Sequence, residues 1–107
     1  MKLTHQLPPK LKAIREKIIP ILKPYTKWIA LFGSMARGES THDSDIDILV
    51  ALKPIGERPV LGFTWFTFPD KLEKVLGCKV DLITDKGMSP YMRLHIEKDL
   101  VMLYEEK

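Results

Sequence analysis

Gly33-Ser34-Met35-Ala36-Arg37-Gly38, then five residues, then Ser44-Asp45-Ile46-Asp47, is the stretch around which the chain organises itself. Just before it runs Lys27-Trp28-Ile29-Ala30-Leu31-Phe32, rich in strand formers and broken off at a glycine. That pattern predicts a buried strand over 27–32. Residues 34–38 are then a tight turn or a single helical turn closing at Gly38, and 39–43 are polar loop. A second strand is expected over 45–52. Its alternation puts Ile46, Ile48 and Val50 on one face and Asp45, Asp47 and Leu49 on the other, because side chains two apart in a strand point the same way.

Working outward, residues 8–19 have the spacing of an amphipathic helix. Pro8 and Pro9 suit its first turn, and Leu11, Ile14 and Ile18 form its apolar stripe. Pro20 is expected to kink or end it and Pro24 to close the segment. On the other side, Pro54, Gly56, Pro59 and Gly62 mark 53–62 as loop. Residues 63–76 are ambiguous at their start, where Phe63, Trp65, Phe66 and Phe68 precede Pro69. A helix from Asp70 to Leu76 then stops at Gly77. Lys79 to Thr84 reads as a third strand. Ser89 and Pro90 start a short helix carrying Tyr91 to Lys98, and Leu100 to Tyr104 forms a last strand at the sheet edge. The order predicts one α/β (α+β) domain over 1–107: a small mixed β-sheet with helices packed on one side.

Two carboxylates on one strand face repel each other unless something positive lies between them. Asp45 and Asp47 can converge on a shared cation, and Mg²⁺ is a hard ion that takes oxygen ligands while keeping places for phosphate and water. Gly33 and Ser34 sit where the preceding strand ends. Glycine there lets the backbone approach a phosphate, and the Ser34 hydroxyl with nearby N–H groups can bind phosphate oxygens. Asp81, alone between Val80 and Leu82, is most economically placed beside Asp45 and Asp47. There it could share the metal and take a proton from an attacking hydroxyl. A phosphate clamp next to a metal face is the apparatus of phosphoryl or nucleotidyl transfer.

Gly33-Ser34, a ten-residue gap and Asp45-Ile46-Asp47 resemble the signature of the DNA polymerase β-like nucleotidyltransferases. In particular they resemble its minimal members, the MNT-type antitoxins of HEPN–MNT toxin–antitoxin pairs. Leu76-Gly77-Cys78-Lys79-Val80-Asp81-Leu82 is similar to their third-aspartate strand, so the resemblance runs from about Trp28 to Ile83. It implies a polymerase β palm-like fold, two Mg²⁺ ions on Asp45, Asp47 and Asp81, and ATP as substrate with its β- and γ-phosphates on Gly33 and Ser34. It implies transfer of AMP to a tyrosine of a HEPN-type toxin, which silences the toxin. Arg37 matches the family arginine, and either neutralises phosphate charge or pairs with an acidic residue and braces the loop. Ser44 either contacts the nucleotide site or bonds to backbone at the strand entry.

The totals bound these expectations. At 107 residues there is room for one core, and none for an acceptor-binding domain, so a second protein is expected to supply the acceptor. One cysteine, Cys78, excludes an internal disulfide. The absence of a signal-like N-terminus points to the cytoplasm. With 17 basic and 14 acidic residues the net charge is +3, spread without an arginine-rich block, so direct nucleic-acid binding is not expected. No apolar run approaches membrane-spanning length. His42, His5 and His95 lack metal-ligand spacing, which argues against zinc. Asp43 falls in the loop, Cys78 reads as a small core residue, and the 63–68 aromatics read as core with part available to a partner. Two alternatives stay open. One is an antitoxin acting by contact alone. The other is a nucleotidyltransferase acting on a small molecule or RNA with a substrate-binding subunit.

Overall fold

The structure, a computed structural model, describes residues 7–39 and 45–106. Four strands form one mixed sheet in the order β3-β2-β1-β4. They are β1 (Thr26–Phe32), β2 (Ile46–Leu52), β3 (Val80–Thr84) and β4 (Val101–Glu105). β1 runs antiparallel to both β2 and β4, whereas β2 and β3 are parallel. The parallel pair needs a crossover, and residues 53–79 supply it, ending in α3 (Phe68–Leu76).

α1 (Pro9–Leu22) and α3 cover one face of the sheet. Leu11, Ile14, Ile18 and Leu22 of α1 are buried against Ile29, Leu31, Ile48, Val50, Phe68, Leu72 and Leu103. Met35 and Ala36 of α2 (Gly33–Arg37) join the same core. The opposite face is smaller: Ala30, Phe32, Leu49, Leu100 and Met102 cluster there, with Ile96 of α4 (Pro90–Ile96) packed on it. Among the described residues no helix is long and apolar enough to cross a membrane.

Pro20 does not end α1; the helix runs on to Leu22. Proline removes one backbone bond, the one its N–H would make to the Glu16 carbonyl, and the helix continues past that loss. Continuing the turn buries Leu22 completely, which stabilises by about 1.5–3 kcal/mol. The Thr26 hydroxyl then donates to the Leu22 carbonyl at 3.0 Å, inside the core. α3 begins at Phe68, two residues earlier than expected, because Pro69 falls in its first turn, where a missing N–H costs nothing. Ser89 caps α4, its Oγ accepting from the Met92 N–H at 3.2 Å. α4 stops at Ile96, and Glu97–Asp99 tighten into a 3₁₀ turn before β4.

Candidate functional site

Three chain segments meet at one end of the sheet: the end of β1, the start of β2 and the start of β3. The register decides what they bring. Phe32, the last residue of β1, lies opposite Asp47, and Asp47 lies opposite Asp81 across the parallel pair. Asp47, Leu49, Asp81 and Ile83 therefore share the face that carries the smaller apolar cluster. Asp45 stands one residue before β2 and is exposed. The ladder begins beside it, with the Ile46 N–H donating to the Lys79 carbonyl at 2.9 Å.

Asp47 sits in an electrostatically unfavourable place. Burial pushes its carboxyl above the ordinary value of 3.8, and the charges of Asp81 and then Asp45 push it further, while Arg37 pulls the other way. The site thus holds negative charge that its own cations only partly balance. This is electrostatic strain of the kind that gathers at functional sites.

Gly33 owes its identity to this carboxylate. Its φ is +74°, a conformation costly for any side chain, and a β-carbon there would run into Oδ2 of Asp47 and lie 3.2 Å from its Cγ. The sequence pointed to phosphate approach as the reason for the glycine; the structure adds a nearer one, the slot in which Asp47 sits. α2 follows at once as a single turn, closed by Gly38 in the left-handed region. The Glu39 N–H returns to the Ser34 carbonyl at 2.9 Å, which ties down the turn bearing Ser34.

Arg37 pairs with Glu39 at 3.1 Å and lies 4.0 Å from Asp99. Its side chain is 41% exposed, so each pair is worth at most about 1 kcal/mol. The contacts link α2 to the turn before β4. Ser44, His42 and Asp43 lie outside the described residues. Cys78 is partly buried against the core, and burial, followed by the charges of Asp45 and Glu73, pushes its thiol up. This is the opposite of an activated nucleophile. The aromatic group divides. Phe68 is buried, and its ring meets Trp65 and Tyr25 edge to face, while Phe63 and Phe66 are exposed. One supporting residue has no local sequence signal: Glu73 of α3, whose Oε2 accepts the Val80 N–H at 3.3 Å and fixes the start of β3 next to Asp81.

Among the described residues no three His, Cys, Asp or Glu side chains are gathered closely enough to enclose an ion. The aspartates form an open acidic cluster. The donor set nevertheless suits a hard divalent cation: all oxygen, mutually repelling, with Asp47 held by its backbone slot. Asp45, Asp47 and Asp81 are the residues that would hold it.

Residues 16–107 match the model of the polymerase beta nucleotidyltransferase family. The chain belongs to this family. It is a nucleotidyltransferase, and its described elements form the small mixed sheet with helices found in minimal members. It is 46% identical over 96 residues to a candidate protein adenylyltransferase of Methanocaldococcus jannaschii, covering 86% of this chain and 93% of that one. It is 34% identical over 73 residues to the protein adenylyltransferase MntA of Thermococcus cleftensis, covering 68% of this chain and 70% of that one. Among solved structures it is similar to a chain of a toxin–antitoxin crystallised with AMP-PNP. The TM-score is 0.71 and the identity 26%, over 87% of this chain and 74% of that one.

Proposed function

We propose that this nucleotidyltransferase moves AMP from ATP to a tyrosine hydroxyl of a HEPN-type toxin and so acts as its antitoxin. The observation that carries the reading is Asp47 in register with Asp81 and seated against Gly33, at the mouth of the Ser34 turn. Similarity to relatives named as protein adenylyltransferases supports a protein as acceptor. The neighbour crystallised with AMP-PNP as a toxin–antitoxin supports ATP and a toxin partner.

In this reading Gly33 and Ser34 hold the outer phosphates of ATP. Asp45, Asp47 and Asp81 would hold Mg²⁺, which when bound would supply charge neutralisation at the phosphates and the leaving oxygen. The acceptor oxygen forms a bond to the α-phosphorus, the bond from that phosphorus to the bridging oxygen breaks, and pyrophosphate departs. Asp81, exposed at the open side of the cluster, takes the hydroxyl proton. Arg37, tied to Glu39 and Asp99, braces the α2 turn.

The test is the intact mass of a HEPN-type protein from the same genome after incubation with this chain, ATP and Mg²⁺. The expected gain comes in steps of roughly 329 Da, one AMP each, as for any covalent nucleotidyl transfer. Asp47→Asn and Asp45→Asn should abolish the gain while leaving the fold intact. Full transfer by either variant would remove the metal site from the mechanism. Exposed Phe63 and Phe66 favour a contact component as well. A stable complex with no mass gain would replace catalysis by contact-only neutralisation.

A further inference from the structure

At the opposite end of the sheet from the aspartates lies a cavity of about 610 Å³, a size suited to a small-molecule ligand. It opens where β1 starts and where β2 and β3 end. Its apolar part comes from Trp28, Ala51, Leu52, Pro54 and Ile55. Ala51 is four residues along β2 from Asp47, about 13 Å at strand rise, and the Ala30–Leu49–Leu100 cluster fills the space between. The two ends are therefore separate places on one molecule.

The charges of this cavity do not cancel. Lys27, Lys53, Arg58 and Lys86 line it against a single carboxylate, Asp85. Asp85 is occupied by an ion pair with Arg93, whose guanidinium also lies over the Trp28 ring, 5.6 Å from its centre. Arg93 thereby fixes the indole and takes one of its faces. Lys53 pairs with Glu106 at 2.8 Å. Arg58 is steered inward by donating to the Lys53 carbonyl at 3.0 Å, a bond that leaves its charge unbalanced. Among the described residues Lys27, Arg58 and Lys86 have no carboxylate partner. Three cations without an ion-pair partner around an apolar recess lined in part by an indole suit an anion with a flat apolar body.

We propose that this cavity is a second, non-catalytic nucleotide site, which takes the base against Trp28 and the apolar wall and the phosphate between Lys27, Arg58 and Lys86. It needs no divalent cation, in contrast to the acidic end, and it does not depend on the adenylylation reading. A free nucleoside monophosphate and the terminal nucleotide of an RNA share this chemistry.

The indole N–H resonances of the full chain report on it directly. Trp28 lines the cavity, whereas Trp65 packs by Phe68 on the other face. AMP is titrated in the presence of EDTA, so that the carboxylate end is without a cation. The expected result is a saturable shift of the Trp28 signal and not of Trp65. It should persist in Asp47→Asn and be lost in the Lys27→Glu/Lys86→Glu double variant, both of whose sites are exposed and whose folding is verified by an unchanged spectrum elsewhere. Should that double variant fail to fold, Arg58→Gln with the same loss carries the same weight. A parallel titration with a short 5′-phosphorylated RNA separates the sources: tighter binding than AMP assigns the site to an RNA end, weaker binding to the free nucleotide. An unmoved Trp28 with both probes, an equal response to inorganic phosphate alone, or loss of the shift in Asp47→Asn would each overturn the proposal.

Discussion

Gly33→Ala tests the architecture of the acidic site without any assay of activity, because the molecule contains its own control. Gly33 and Gly38 both have φ +74° and Gly77 has +75°, but a β-carbon on Gly38 or Gly77 meets nothing within 4 Å. Alanine at either control position therefore pays only the left-handed backbone penalty, about 1–2 kcal/mol. At Gly33 the same penalty is joined by displacement of the Asp47 carboxylate, whose Cγ and Cβ would lie 3.2 and 3.6 Å from the new methyl. Forcing a half-buried side chain off its rotamer and shifting its neighbours costs about 1–3 kcal/mol more. The assay is urea or thermal unfolding of Gly33→Ala, Gly38→Ala, Gly77→Ala, Asp47→Ala and the Gly33→Ala/Asp47→Ala double variant. One kcal/mol corresponds to about 4–8 °C in Tm for a domain near this size. The excess cost of Gly33→Ala should vanish in the Asp47→Ala background, giving a coupling energy of about 1–3 kcal/mol. An excess that is absent, or that survives removal of the Asp47 side chain, would refute the slot and return Gly33 to a role in phosphate approach alone.

Two further outcomes follow from the same packing. The Asp47 carboxyl is raised in the folded protein by burial and by Asp81 and Asp45, so the folded state binds its proton more readily than the unfolded chain. The stability this lends is fully present below the ordinary value of 3.8 and is lost as pH rises through the folded value. Metal-free Asp47→Asn should therefore be more stable than the parent at neutral pH, with the difference shrinking as pH falls through the carboxylate range; a parent equally stable at neutral pH would contradict it. For the divided aromatic group, Phe68→Ala should cost about 3–5 kcal/mol in urea unfolding. Phe66→Ala, at a ring 73% exposed, should stay within about 0.5 kcal/mol, and comparable losses for the two would mean that Phe66 is packed.

The elements were legible wherever local chemistry decides them. The run from Lys27 to Phe32 stops at a glycine, Ser89-Pro90 carries a cap, and Gly77 ends α3; each lies where its neighbours in sequence require. Pro20 misled because its cost is local, whereas the burial of Leu22 against the sheet that outweighs it is tertiary. The aromatic group was expected to be core with part left for a partner, but which rings fall on which side was not legible: hydrophobicity marks a side chain as fit for a core and does not say whether a core reaches it. At the site, the aspartate pair and the turn before it stood out by spacing. The Gly33 slot did not, since it depends on the antiparallel register that places Asp47 opposite Phe32. Glu73 was invisible for the same reason, as its partner is a backbone N–H on the next strand.

Strand direction explains how a chain of net charge +3 presents two ends of opposite sign. β2 and β3 both begin with aspartates and both run out into basic turns, and because they are parallel their like ends coincide. β1, running the other way, adds Gly33 to the acidic end and Lys27 to the basic one. Had β3 paired antiparallel, Asp81 would lie by Lys53 and Lys86 by Asp45 and Asp47, and the two ends would differ less in charge. The crossover through α3 thus separates the charges. Salt should then act in opposite senses at the two ends: it relieves carboxylate repulsion at Asp45, Asp47 and Asp81, and weakens anion capture by Lys27, Arg58 and Lys86.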